Sequence, residues 1–162
     1  GFIKFLDKNQ ISKNIHFKKL GPEPLSKKFT LNYFRKYILG KNRVIKETLM
    51  DQKFVSGLGN IYVNEILFIS MVDPNKSVKK ISLKKILKIL FVTKKILKKS
   101  ILSGGSSIKD FYDGNGKTGL FQQHFNVYGR EGKKCLNDNC NSTIRKIIIS
   151  NRSTFYCKKC QK

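Results

Sequence analysis

Ile45-Lys46-Glu47-Thr48-Leu49-Met50-Asp51-Gln52-Lys53-Phe54-Val55-Ser56-Gly57-Leu58-Gly59-Asn60-Ile61-Tyr62 is the stretch on which the fold turns. Val44 to Gln52 reads as a short helix and Val55-Ser56-Gly57-Leu58-Gly59 as a turn. A second helix runs from Asn60 to Met71 and is broken by Asp73-Pro74. A helix that opens on a glycine turn presents unpaired backbone N–H groups and the positive end of its dipole, which is an anion site. Glycine lets the backbone approach a phosphate with no Cβ in the way, and the Asn60 side chain can donate to the same phosphate. Taken alone, the preferred reading of Asn60 is an N-cap residue after a tight turn.

Toward the N-terminus, Lys18-Lys19-Leu20-Gly21-Pro22-Glu23-Pro24-Leu25 is a linker, because its prolines and glycine suit neither a helix interior nor a central strand. Residues 1–17 alternate weakly and read as strand ending near His16. Ser26 to about Gly40 reads as helix, with Leu31, Phe34, Tyr37 and Ile38 on one face. Toward the C-terminus, Ser82 caps a long helix reaching about Leu102. Lys84, Lys85, Lys88, Lys94, Lys95, Lys98 and Lys99 fill one half of its wheel, and Leu83, Ile86, Leu90, Leu97 and Ile101 the other. Such a helix can lie on a membrane; within a globular chain, packing on its own domain is the preferred reading. Residues 103–119 form a Gly/Ser-rich loop, with Phe121 and Tyr128 expected in the core.

The chain of 162 residues carries 34 Lys and Arg against 10 Asp and Glu, a formal charge of +24. Such a field argues against a small neutral substrate and for a polyanion, with nucleic acid ahead of an anionic membrane. The 29 Lys against 5 Arg, the 18 Ile and the absence of Ala also fit the codon bias of an AT-rich genome, which discounts part of that charge. No run of eighteen apolar residues spans a membrane, and no signal peptide is recognisable.

All four cysteines lie in the last 33 residues: Cys135 and Cys140 with four residues between them, Cys157 and Cys160 with two, and sixteen between the pairs. Thr143 to Ile149 reads as a strand, Asn151-Arg152 as a hairpin turn and Ser153 to Cys157 as the return strand. Paired cysteines around a hairpin give a tetrahedral sulfur site for one structural zinc, closed to water because four thiolates fill its coordination. Two disulfides are the alternative, disfavoured for an intracellular basic chain.

Together these segments resemble formamidopyrimidine-DNA glycosylase, the bacterial repair enzyme for oxidised purines. The resemblance rests on Leu20-Gly21-Pro22-Glu23-Pro24-Leu25, on Ile45-Lys46 with Leu49 to Lys53 and Gly57 to Tyr62, on Gly104-Gly105-Ser106-Ser107-Ile108-Lys109-Asp110-Phe111 leading to Phe121-Gln122-Gln123 and Val127-Tyr128-Gly129-Arg130, and on Arg152 to Cys157 with Cys160-Gln161-Lys162. Val127-Tyr128-Gly129-Arg130 and Asn60-Ile61-Tyr62 favour this branch over endonuclease VIII. The resemblance implies a mainly α fold with a small β zinc ribbon. Residues 1–19 would be the end of a catalytic β-domain, 20–128 a helix–two-turn–helix domain with a lesion loop at 103–120, and 129–162 a zinc finger. Two departures stand out. The first cysteine pair is two residues wider than the family's, as if residues were inserted near Asn137-Asp138, so a looser knuckle is expected. The family's nucleophile, an N-terminal proline amine followed by glutamate, is not carried by Gly1, so the chain is expected to be the C-terminal part of a longer protein.

By resemblance, Lys46 faces the lesion pocket; its plain alternative is a solvated lysine. Asn60 grips the backbone beside the lesion, and Lys41 is a DNA contact. Arg152 forks the phosphates flanking the flipped base and donates a proton in the final elimination; its plain alternative is an exposed turn arginine. Ser106 and Ser107 belong to the loop over the everted base. His16 and His124 are given no chemistry. The implied partner is double-stranded DNA with an oxidised purine or abasic site, met by a monomer in the bacterial cytoplasm at the nucleoid. A catalytically inactive DNA-binding remnant and a zinc-ribbon RNA-binding protein are the alternatives.

Overall fold

The computed structural model describes residues 3, 5–11, 13–106 and 120–162. Most of the expected lesion loop, Ser107 included, lies outside the described residues. The described chain is mainly helical: α1 (Lys8–Ile11), α2 (Ile15–Lys18), α3 (Leu31–Ile38), α4 (Ile45–Met50), α5 (Asn60–Ile69) and α6 (Leu83–Leu102), then an antiparallel hairpin of β1 (Arg145–Ile149) and β2 (Arg152–Tyr156).

Among the described residues, the strand expected over residues 1–17 is not there. Among the described residues that segment forms the two helical turns α1 and α2, neither with a buried residue. A strand needs a neighbour for its N–H and C=O groups. Here the backbone closes local turns instead, with Gln10 N–H donating to Asp7 C=O and Lys18 N–H to Asn14 C=O. Helix α3 also starts later than Ser26, because Thr30 is its true cap, accepting from Tyr33 N–H at 3.2 Å. It ends where Gly40 takes a φ of 72°.

The linker is held rather than free. Gly21 N–H donates to Gln52 C=O at 2.8 Å and Ser56 N–H to Pro22 C=O at 3.1 Å. A Cβ on Gly21 would lie 2.3 Å from the Phe54 carbonyl oxygen, so only glycine permits this approach. Gln52 organises the turn between α4 and α5, accepting from Gly57 N–H and donating to Leu58 C=O. Helix α4 has no side-chain cap; carbonyls of Lys76 and Pro74 receive the N–H groups of Ile45 and Lys46.

Helix α5 is buried from Val63 to Phe68, Asn64 and Glu65 included. It packs against α4, α6 and β2. One apolar cluster gathers Phe34, Leu49, Phe54, Leu67 and Ile89 between the helices; a second joins Phe68 to Val127, Ile144, Phe155 and the cysteines. Phe121 belongs to the first and Tyr128 packs against the second, as expected. Ser82 caps α6, accepting from Lys85 N–H at 3.4 Å. The buried face of α6 is Ile86, Ile89, Leu90, Val92, Thr93 and Ile96, while Leu83 and Ile101 are exposed, against the wheel reading. The buried face thus takes in Val92 and Thr93, on a helix that packs against α5 and α3.

Candidate nucleic-acid interface and metal centre

The hairpin turn is Ser150-Asn151, both with positive φ (49° and 57°), flanked by the pair Ile149 and Arg152. That is the geometry of a two-residue type I′ hairpin. Arg152 is therefore the first residue of β2 rather than part of the turn, and it stays exposed. The next residue, Ser153, is where the hairpin meets the helices. Its carbonyl accepts from Asn60 Nδ2 at 3.0 Å and from Lys46 Nζ at 3.2 Å. Lys46 Nζ also donates to Thr154 Oγ1 at 2.6 Å. One turn along α5, Asn64 accepts from Phe155 N–H at 2.6 Å and donates to Asn60 C=O at 2.7 Å.

Asn60 is the first residue of α5, with Gly59 in the cap position, so it is not the helix's N-cap. Lys46 is not solvated: it is 1% exposed. Burial first, and then the Arg152 guanidinium, bring its pKa down to about 8. Lys46 and Arg152 line one cleft of about 470 Å³ between α4 and the hairpin, with Arg43, Glu47 and Asp51 among the other walls. Its acids are engaged: Asp51 pairs with Arg43 at 2.7 Å, and Glu47 accepts from Ser150 Oγ. Among the described residues no carboxylate pairs with Lys46 or Arg152.

Lys46, Asn60 and Arg152 thus converge. Lys41 does not join them; its Nζ stands 3.1 Å over the ring of Tyr37. Tyr37 donates to Asp51, and burial followed by that hydrogen bond raises its pKa to about 12. Ser106 is half-buried, 3.3 Å from Tyr62 Oη, at a bridge between Ser106 and Leu120.

The four sulfurs of Cys135, Cys140, Cys157 and Cys160 all lie within 4.8 Å of one another. Cys135 to Cys160 is 3.9 Å and Cys140 to Cys157 is 3.7 Å. A metal 2.3 Å from each of four tetrahedral sulfurs gives edges of about 3.8 Å, so the cluster has the size of a metal cage. No disulfide joins any of the four, and separations of 3.9 and 3.7 Å are far beyond the about 2.05 Å of an S–S bond, which disfavours the disulfide alternative. The wider first knuckle is not loose. Cys140 N–H donates to Asn137 C=O at 3.2 Å, closing a β-turn with Asn139 at a φ of 58°, as the third position of a type II turn requires. Burial pushes the Cys135 thiol up to about 12. Cys157 is buried too, but the Cys160 backbone N–H and the neighbouring thiols outweigh that and bring it down to about 7.

Two residues without an expected role fix the finger. Glu65 accepts from Asn126 N–H, Asn126 Nδ2, Val127 N–H and Tyr128 N–H at 2.8–2.9 Å. Gln161 accepts from Cys157 N–H and donates to Val72 C=O. A glutamate inside a largely apolar helical run was the available sign of the first.

A helix–two-turn–helix unit with a four-cysteine hairpin locked against its second helix is the class that this fold and site define. The chain belongs to the formamidopyrimidine-DNA glycosylase family: the family model of the formamidopyrimidine-DNA glycosylase H2TH domain matches residues 20–112. The formamidopyrimidine-DNA glycosylase of Zymomonas mobilis is 39% identical over 162 residues, covering 100% of this chain and 59% of that protein. That of Rickettsia bellii is 42% identical over 146 residues, covering 90% and 53%. A complex of the Lactococcus lactis Fpg with abasic-site DNA superposes with a TM-score of 0.87 at 36% identity, over 97% of this chain and 57% of that one. The MutM (Fpg) protein of Thermus thermophilus superposes at 0.83 with 31% identity, over 90% and 55%. The chain thus spans between half and three-fifths of the length of these relatives. No described helix is long and apolar enough to cross a membrane.

Proposed function

We propose that this chain is the damaged-DNA-binding portion of a bifunctional glycosylase and abasic-site lyase that removes oxidised purines. It would act as a monomer in the bacterial cytoplasm, at the nucleoid. The observation that carries the reading is the convergence of Lys46, Asn60 and Arg152 at one cleft, in a chain related to an Fpg solved with abasic DNA. Lys46 and Arg152 supply positive charge to the phosphates flanking an everted nucleotide, and Asn60 has an amide hydrogen left to donate beside them. Lys41 extends the basic track, and Ser106 and Ser107 belong to the loop that covers the base. In the strand-cleaving step Arg152 is the proton donor for the final elimination, a role that suits an exposed guanidinium next to the phosphate rather than at the sugar. The four cysteines take one zinc, which supplies a fixed tetrahedral anchor for the hairpin bearing Arg152. Glycosidic cleavage itself falls to the proline amine of a preceding catalytic domain.

The test is binding to a duplex carrying a tetrahydrofuran abasic analogue. Affinity should fall steeply with salt, and Asn60→Ala should cost about 1–3 kcal/mol. A salt-independent curve, or stronger binding to single-stranded RNA loops, would refute the reading in favour of the zinc-ribbon alternative.

A further inference from the structure

Arg43 stands in the wall of the cleft that holds Lys46 and Arg152. Its backbone is fixed: Val44 pairs with Ser77 in an antiparallel bridge, and Arg43 C=O accepts from Val78 N–H at 2.9 Å. Its side chain is fixed too, because Nη1 donates to Asp51 Oδ2 at 2.7 Å. Asp51 is itself held, Oδ2 accepting from Tyr37 Oη at 3.0 Å and Oδ1 from Lys53 N–H at 2.9 Å. The carboxylate is thus fully engaged, whereas Nε and Nη2 of Arg43 have no partner among the described residues. The Arg43 side chain is 41% exposed and that of Asp51 19%, so the pair turns its positive member to solvent.

The same network leads out of the cleft. Tyr37, bonded to Asp51, carries Lys41 Nζ over its ring, and the two line a neighbouring groove of about 340 Å³ with Tyr33 and Lys36. Through Asp51 and Tyr37, Arg43 therefore links the cleft of Lys46 and Arg152 to the groove of Lys41. We propose that Arg43 is a further DNA-contact residue, its free guanidinium edge taking a phosphate between those gripped at the cleft and the one reached by Lys41. This rests on the DNA-binding reading given above. A planar guanidinium has five N–H donors, so it can serve a carboxylate with one nitrogen and a phosphate with the others. Asp51 aims the side chain before DNA arrives, which lowers the ordering cost of the contact.

The experiment uses the full chain and a fluorescein-labelled duplex carrying a tetrahydrofuran abasic analogue, with affinity read by anisotropy between about 50 and 200 mM salt. The wild type comes first. Steep salt dependence sustains the DNA reading; a flat curve rejects that reading and the proposal with it. Given a steep wild type, Arg43→Ala should bind at least about 10-fold more weakly at the low-salt end, the scale of a hydrogen bond to a charged group. Its slope of log affinity against log salt should flatten by about 0.9, the share of one phosphate, so that its affinity falls about 3.5-fold less over that range. Arg43→Lys keeps the charge and should keep the wild-type slope. Lys84→Ala, at an exposed lysine of α6 outside the cleft, should leave slope and affinity unchanged. An Arg43→Ala slope equal to wild type overturns the proposal and leaves the DNA reading standing. So does an equal loss of slope in Arg43→Lys, the mark of a structural role, or in Lys84→Ala, the mark of bulk charge alone.

Discussion

Replacing Glu65 by Gln tests how the finger is fastened to the helices. Glu65 is 1% exposed, and each of its carboxylate oxygens accepts two N–H bonds, Oε2 from the Asn126 backbone and side chain and Oε1 from Val127 and Tyr128. In Gln, one oxygen becomes an NH₂ group that faces two donors. Two bonds are lost, and each buried donor left unpaired costs about 1–3 kcal/mol, so the substitution should cost roughly 2–6 kcal/mol. For a chain of this length that is a fall in Tm on the order of 10 °C. The assay pairs a circular-dichroism melt with hydrogen exchange. The backbone amides on the side where the new NH₂ group sits, Asn126 or else Val127 and Tyr128, should lose protection first, because they lose the acceptor, while those of α6 keep theirs. A Glu65→Gln chain melting within a degree or two of wild type would show that the carboxylate is not the tie, and the reasoning would fail.

Lys46 sets a pH dependence. Its folded pKa, about 8, lies below the ordinary lysine value, so the cation that the proposed DNA contact requires is present below pH 8 and is lost as pH rises through 8. Abasic-duplex affinity should drop between pH 7 and 9 in wild type and stay flat in Lys46→Arg, whose charge persists; the same slope in both would refute this. The folded chain also sheds that proton before the unfolded chain does, so the Lys46 contribution to stability should rise from pH 8 toward 10.5, as potentiometric proton counting of folded and unfolded chain would reveal. Stripping the metal should unfold residues 130–162 while α3 to α6 persist, a loss of several kcal/mol from the 10–16 that structural zinc typically supplies; an unchanged amide spectrum for β1 and β2 after chelation would contradict it. With 8-oxoguanine duplex and borohydride, these 162 residues should form no strong covalent adduct; one that disappears in Lys46→Arg would identify that amine as an internal nucleophile.

Helix α6 was legible because its cap, Ser82, and its termini are written in adjacent residues, and the cysteine cage because spacing alone announces it. Lys46 was harder. Among 29 lysines, one that is buried looks like the others, and its burial is set by Ser153 and Thr154 more than a hundred residues away. The role of Glu65 likewise depends on Asn126 to Tyr128, which no local pattern connects to α5. The misplaced turn at Arg152 came from a competing reading of one residue: Ser150 tolerates a positive φ here, so the reversal closes one position earlier than Asn151-Arg152 suggests. The strand expected over residues 1–17 failed for a different reason, since weak alternation specifies a strand only when another strand lies beside it.

The Ser153 carbonyl has two lone pairs, and two donors from different helices occupy them. Neither Lys46 nor Asn60 alone therefore holds the hairpin; each insures the other. Removing either leaves the oxygen satisfied and the strand in place, while removing both strips a half-buried acceptor of both these partners. A double-mutant cycle on these two residues should be non-additive. It follows that DNA-binding losses measured on single variants of this pair report the missing contact to DNA, whereas the double variant reports the collapse of the cleft wall, and the two must not be placed on one scale.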